Sequence, residues 1–467
     1  MSGLSPQAAP SPGSQGAEPE WLTALRADGA ARFERLGVPT TRREAWRYTS
    51  LRALNAVDFL PAPDASALPL DDPDSPDLSL EPPAPLPDAV GRVVFVGGVF
   101  DPSRSTLSDL PGLRVVPLER AVRDGDATVQ AHLPTAKELG PHTPFLAQND
   151  ARFSDGALIH VARGAQLAGP VELVFVTGDT GSPAQAWPRV LVVAEPLSQL
   201  TVIERHTNGR GPGAVVPHLS TPVTHVVVGD GARVEHAIHV GPPLAAAGGE
   251  PGSQETPTPD YHLGTVLAQV GRDGAYASHT LLTSGAIART EIRVRVTGPG
   301  AEVTLDGLYV PVGKEVHDVY TVIDHAVPHG RSDQVFKGLI AGEATGTYQG
   351  RVLIREGAVQ SETHQVNHNL LLGGRARANT KPQLEIDNDD VTATHGSTVG
   401  QLDRDALFYL ASRGVPGDVA RGLLIEGFAR ALIDALPSPA LADAVRPQVL
   451  GRLGASAGLR AEQEVAS

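Results

Sequence analysis

Residues 291–296 read EIRVRV, so that Ile292, Val294 and Val296 fall on one side and Glu291, Arg293 and Arg295 on the other. That period of two is the signature of a half-buried strand. Similar short apolar runs occur at 93–96 (VVFV), 172–176 (ELVFV) and 190–193 (VLVV), separated by Gly, Pro and Asp, as expected of many brief strands joined by turns. No helical period interrupts residues 160–390. A doubly wound α/β fold is therefore disfavoured, because its parallel strands need helical crossovers. Gly-Ala pairs at Gly164, Gly231, Gly300 and Gly357 supply sharp bends from which new strands begin. So long a run of short strands suits a β-solenoid whose coils stack only on their neighbours. The irregular spacing of these turns keeps a β-sandwich beside it as an alternative.

Helical patterns lie at both ends. Trp21, Leu22, Leu25, Phe33 and Leu36 recur at helical spacing and Gly37 with Pro39 supplies a stop. Thr41 with Glu44 three residues on predicts a capping box and a second helix. Residues 1–17 read as a disordered leader, 18–60 as a helical unit, and 61–90, dense in Pro, Asp and Ser, as a linker. The β core is expected over 91–402, with a mobile Gly/Pro-rich insert at 241–259. From 403 to 467 the pattern is helical again. Leu402, Ala406, Leu407 and Leu410 form an apolar stripe, Gly414 and Pro416 end it, and Asp418 is placed to cap a longer helix carrying Leu423, Leu424, Phe428, Leu432 and Leu436. Ser438 and Pro439 start a third, kinked helix. This tail reads as an amphipathic unit separable from the core after Leu402.

Composition narrows the function. With 38 basic and 53 acidic side chains the 467-residue chain carries a formal charge of -15, which repels phosphate backbones and anionic lipid, so neither nucleic acid nor membrane is an expected partner. No run approaches a bilayer span and the N-terminus lacks a secretory pattern, which points to the cytoplasm. The chain contains no cysteine. Disulfides, thiolate catalysis and any self-sufficient thiolate metal site are excluded.

Several motifs invite chemistry and have plainer readings. GLYVPVGKE at 307–315 has five residues between its glycines and Glu315 where a phosphate loop has a hydroxyl, so nucleotide binding is rejected there. GRGPG at 209–213 is a turn. Histidine pairs at His236 and His239, His325 and His329, and His364 and His368 have metal-like spacing, but a hydrogen-bonded strand face explains each equally. The acidic run Asp387, Asn388, Asp389 and Asp390 could serve a β-helical carbohydrate lyase or hydrolase; a solvated turn is the plainer reading. Asn367 and Asn369 suit backbone bonds at coil corners.

Residues 367–398 read NHNLLLGGRARANTKPQLEIDNDDVTATHGST. The stretch resembles the signature of the SufB/SufD family of iron-sulfur cluster assembly proteins, in its SufD-type form. The matching positions are Asn367, Asn369, Leu370 to Leu372, Ala376, Thr380, Lys381, Pro382, Leu384, Glu385, Ile386, Asp390, Val391, His395, Gly396 and Thr398. His325, Pro328, Ser332, Gln334 and the run FKG at 336–338 also look like the family, as do EAWRYT at 44–49 and LFYLASRG at 407–414. HGST stands where SufB-like sequences carry a glutamate-bearing segment. The resemblance implies an all-β core, a right-handed parallel β-helix, between small N-terminal and C-terminal α-helical units. It further implies a non-enzymatic scaffold that pairs with SufB through the β-helix, at a surface including Asp390, Val391, His395, Gly396 and Thr398. The SufC ATPase would dock on Leu407, Phe408, Tyr409, Leu410, Arg413 and Gly414. His395 is implied as one ligand of a transient iron-sulfur cluster shared with SufB, and no cofactor is expected on the chain alone. Clusters are held mainly by thiolates with imidazole as an occasional ligand, so SufB must bring the sulfur. Some relatives carry a cysteine just before this histidine; here Ala393 and Thr394 precede it, so that thiol is not essential in this chain. A bare β-helix edge also invites a homodimer when SufB is absent.

Overall fold

The computed structural model describes residues 18–62, 82–106, 110–177, 182–208, 216–242 and 260–456. Its centre is a parallel β-solenoid of about seven turns. Successive strands go alternately to two sheets. The first ends in Val316–His325, Thr345–Ile354 and Arg377–Ile386, and the second in Arg331–Ile340, Ser361–Leu371 and Val391–Gly400. Register advances by about 30 residues per coil, as Ser332 pairs with Thr363 and Thr363 with Ala393. Each strand turns alternate side chains into the lumen, where Val202, Val234, Tyr276, Leu305, Ile292, Val319 and Phe336 join one continuous apolar core. No sandwich is present.

One corner of the solenoid repeats a single backbone device. Gly164, Leu197, Gly231, Asp273, Gly300, His329 and Gln360 all have positive φ, and each lies between a strand of the first sheet and the next strand of the second. The N–H of Leu197 donates to Asp230, Gly231 to Arg272, His329 to Val359 and Gln360 to Asp390, so these corners tie their coils to the next. Glycine fills the position in only three of the seven coils, and an insert lengthens another. The regular coil therefore looks irregular in the sequence, and Gly357 lies in the same corner as Gln360 without itself taking positive φ. Gln360, exposed with φ 54°, holds the left-handed conformation against its own Cβ. Replacing Gln360 with Gly is expected to raise stability by about 0.5 kcal/mol, after offsetting the added freedom of the unfolded chain. Urea denaturation measures this, and a lowered midpoint would count against the corner account.

The flanking units differ from the sequence reading in instructive ways. The helix Glu20–Leu36 forms as expected, but Glu44–Trp46 and Leu54–Ala56 are single 3₁₀ turns, not a second helix. Tertiary anchoring overrides the capping pattern: Trp46 is buried beside Phe145 and under the Arg289 guanidinium, 4.1 Å from its ring centre. Thr49 bonds to Asp318, and Glu44 pairs with Lys381. The 91–402 segment is not purely β. Short helices from Leu118–Arg123 to Pro144–Arg152 interrupt it, and the last of these packs on Glu20–Leu36 where Gly29 lets the backbones approach.

The expected linker is docked wherever it is described. Leu60–Pro61 pairs in parallel with Ala184 and Gln185. Pro83 and Ala84 carbonyls accept from Arg92 and Arg205, whose charges flank buried Glu172. The leader 1–17, residues 63–81 of the linker and residues 243–259 of the insert lie outside the described residues.

The C-terminal tail is not separable. Its helices Gly417–Asp434 and Pro439–Ser456 lay Ile425, Ala429, Leu432, Ile433, Leu441, Val445 and Val449 over Ile203, Ala237, Leu281, Leu308, Leu339 and Leu370 on the outside of the second sheet. Lys337 donates to the Phe428 carbonyl, and Arg452 pairs with buried Glu315. Asp418 lies in the first turn of its helix and Pro416 takes the cap position, while Ser438 caps the last helix through the N–H of Leu441. Only the helix Arg404–Ser412, capped by Asp403, buries none of its residues.

Candidate functional site

The solenoid ends openly. Arg377–Ile386 and Val391–Gly400 are the outermost strands of their sheets, each paired along one edge only. Two adjacent ten-residue edges thus present free N–H and C=O groups, the usual template for pairing with another chain. Ile386 and Val399 are exposed on them.

Strand alternation divides the predicted site residues between two faces. Val391, Ala393, His395, Ser397 and Val399 pair with Ser361, Thr363, Gln365, Asn367 and Asn369, all of which are buried in the lumen. His395 therefore sits on the lumen side at the open mouth, in register with Gln365. Gly396 and Thr398 point outward instead. Thr394 and Thr398 bond to the Nδ1 atoms of His364 and His368 at 2.6 and 2.7 Å on that outer face. Asp390 belongs to the preceding turn, where its N–H donates to Asn388 Oδ1 and its carbonyl accepts from Gln360. The acidic run is a turn that starts the last strand.

The histidine pairs do not make metal sites. His364 and His368 share the outer face, yet four residues of strand separate them by about 13 Å. His236 and His239 face opposite sides: His236 bonds to Glu204 and Tyr276 inside, and His239 to Thr283 and Gln448 of the last helix outside. His325 bonds to Ser332 while His329 lies in a corner. Among the described residues no group of three or more His, Asp or Glu is placed to hold a metal ion.

Below the mouth the lumen is polar and tightly bonded. Asn367 donates to the Tyr309 hydroxyl and the Phe336 carbonyl, both at 3.0 Å, and Asn369 donates to Asn367 at 2.7 Å. The Asn-x-Asn motif thus ties three coils together through side chains, not at coil corners. Gln365 donates to the Tyr348 hydroxyl at 3.0 Å. Farther down, Glu204 accepts from Thr224, His206 and His236 at 2.6 to 3.0 Å. Burial alone would raise its carboxyl, but the bonds and charges of His206 and His236 outweigh that and hold it well below the usual range. The sequence reading missed this cluster. Its signal was a glutamate at an inward position of QLTVIERH, in line with Leu200 and Val202.

The second exposed feature follows the open strand directly. On the helix Arg404–Ser412, Phe408 is 75 % and Tyr409 58 % exposed, while Leu407 and Leu410 are half-buried. Arg413 lies over the Tyr409 ring at 5.6 Å. Two large aromatic side chains thus stand side by side in water on this helix, which makes it a candidate contact surface.

Residues 175–428 match the family model of the SufBD core domain of the SUF system for FeS cluster assembly, and residues 15–173 match the SufBD N-terminal region. The chain belongs to the SufBD family. It is 28% identical over 442 residues to an iron-sulfur cluster assembly SufBD family protein of Synechocystis, covering 92% of this chain and 91% of that one. It is 28% identical over 456 residues to the iron-sulfur cluster assembly protein SufD of Escherichia coli, with 95% and 97% covered. Against SufD of Bacillus subtilis the identity is 25% over 429 residues, covering 90% and 91%. The two matched regions together span both sheets and the packed N-terminal helices, so this SufBD chain is related along nearly its whole fold. Among its described residues no helix is long and apolar enough to cross a membrane.

Proposed function

We propose that this SufBD chain is the SufD-like, non-catalytic scaffold subunit of a cytoplasmic complex with SufB and the SufC ATPase. The observation that carries this reading is the pair of bare strand edges at the solenoid mouth, followed at once by a helix whose aromatic residues are unpartnered. SufB pairs along the edges of Arg377–Ile386 and Val391–Gly400, with Asp390, Val391, His395, Gly396 and Thr398 in or beside the contact. SufC docks on the helix that carries Leu407, Phe408, Tyr409 and Leu410, with Arg413 and Gly414 at its end. Without SufB, the same edges pair two copies of this chain.

The cluster is cargo, held between subunits and not by this chain alone. With no thiolate available, the chain contributes one imidazole, and SufB supplies the sulfur ligands. His395 suits that role because it stands at the mouth, exposed, on the lumen side of the outermost strand. The acidic turn at 387–390 offers no second reading as a glycosidase site.

Reconstitution with SufB and SufC, followed by mass determination and iron and sulfide analysis, tests the proposal. A three-protein complex that accumulates cluster is expected, and failure of the three chains to associate would refute it. Replacing His395 with Ala is expected to lower cluster retained on the complex by about tenfold, the usual scale for a lost ligand or its support. SufB association should persist, because backbone edges carry it. A wild-type iron and sulfide content would remove His395 from the ligand set.

A further inference from the structure

We infer that residues 44–61 are a strap that holds the outermost strand of the first sheet, Arg377–Ile386, in place at the open mouth, with Glu44 as the positioning residue at the strap's end. This rests on the reading of that strand as a pairing edge, but it concerns the free chain and is tested there.

From Glu44 to Pro61 the chain forms two 3₁₀ turns and a two-residue strand, so little of it is held by its own backbone. Its contacts run instead across the outside of the first sheet, one coil after another. At one end Leu60–Pro61 pairs with Ala184 and Gln185. Phe59 meets the Tyr261 ring edge-on at 6.2 Å, and Leu51 and Leu54 are buried with Leu219, Leu263 and Ile287. Trp46 lies under the Arg289 guanidinium and Thr49 bonds to Asp318. The Ala45 carbonyl accepts from Gln349 Nε2 at 3.2 Å, and Glu44 pairs with Lys381. The strap thus touches each successive hydrogen-bonded neighbour from Ala184–Ala186 to the open edge.

The last of these contacts falls where the solenoid is weakest. An outermost strand is bonded along one side only and opens most readily, and no residue of Arg377–Ile386 is fully buried. Asn379 and Glu385 tie it to the preceding coil through Thr347 and Arg351. Glu44 adds a tie from outside the solenoid. The Lys381 ammonium holds the Glu44 carboxyl below its ordinary range, and Gln383 and Arg351 add to this, so one carboxylate engages two side chains of the edge and one of the coil beneath it. Two free surface side chains gain little by pairing. Here the buried Trp46, two residues on, fixes the backbone that carries the carboxylate, and less freedom is lost when the pair forms. The last strand of the second sheet, Val391–Gly400, lies away from the strap and is tied on its outer face to the neighbouring coil through His364 and His368.

Hydrogen exchange of the free full chain, read by mass spectrometry on peptides covering 377–386 and 391–400, tests the strap. Glu44→Lys, which sets a cation against Lys381 and Arg351, is expected to speed exchange over 377–386 by about three- to tenfold, the scale of one lost ion pair joined by a repulsion. Exchange over 391–400 should not change. Combining Glu44→Lys with Lys381→Glu restores the attraction with its signs exchanged, and protection should return. Wild-type exchange over 377–386 in Glu44→Lys, equal acceleration of both strands, or no recovery in the swapped pair would overturn the inference. Adding SufB to the wild-type chain is expected to slow exchange over 377–386 further; an unchanged rate there would sink the pairing-edge reading alone, because the free chain decides the strap.

Discussion

Lowering the pH from 7.5 to about 5.5 is expected to destabilise the chain strongly. Among the imidazoles that burial depresses far below their ordinary 6.5 are five with large shifts: His225, His239 and His317 to about 3, and His279 and His325 to about 4. All five are buried in the sheets, so they are neutral when folded and take up protons freely when unfolded. The unfolded state therefore binds more protons at every pH between these values and 6.5, and stability must fall as pH falls through that window. No penalty exists above 6.5. Each group costs about 1.4 kcal/mol per pH unit below it, so five together remove roughly 7 kcal/mol within the first unit. That is comparable to the whole stability of an ordinary domain, about 5–15 kcal/mol. Glu204 adds a further loss only below its ordinary 4.5, because its folded carboxyl is depressed. Urea midpoints across pH 8 to 5.5 measure the slope. A midpoint that does not change over that range would show that these imidazoles are solvated or charged in the folded chain.

These same histidines show what the sequence could and could not reveal. Alternation in EIRVRV locates a strand and its buried side, and the absence of helical spacing disfavours a doubly wound sheet. Neither property says how strands stack, because coil partners lie about 30 residues apart and the corner residue is glycine in only three of seven coils. The polar residues of the lumen were hidden for a related reason. His236 and Glu204 become neighbours only through lateral pairing of coils, although each sits at an inward position of its own strand.

The motif at 367–398 was recognisable as a string, yet its residues do different work. Asn367 and Asn369 tie coils together, Lys381 anchors the N-terminal turn through Glu44, and His395 faces the open mouth. Glu44 and Lys381 are 337 positions apart, which explains how EAWRYT and the distant TKP belong to one structure. The helical tail was misjudged for want of a partner in the sequence. Its apolar stripe matched an independent amphipathic helix, but the surface it covers is formed by outward residues such as Ile203, Leu308 and Leu339, scattered over several coils.

Exchanging both Phe408 and Tyr409 for Ala is expected to weaken SufC binding by about thirtyfold or more, with no change in the stability of the free chain. The two effects separate because both side chains are exposed and no residue of their helix is fully buried, whereas an aromatic anchor buried in a partner pocket contributes at least about 2 kcal/mol. Deleting everything after Leu402 is a poorer test. It would strip Ile425, Leu432 and Val445 from the second sheet and expose Ile203, Leu281 and Leu339, so lost SufC binding would be indistinguishable from lost folding. Calorimetric titration of the double variant with SufC, beside a urea curve of each free chain, keeps the two apart. Unchanged affinity would move the docking site to Val419 and Leu423, the other exposed apolar residues of the tail. Lost affinity with an intact fold would assign the recruitment of the ATPase to the one helix of the tail that the β-helix leaves uncovered.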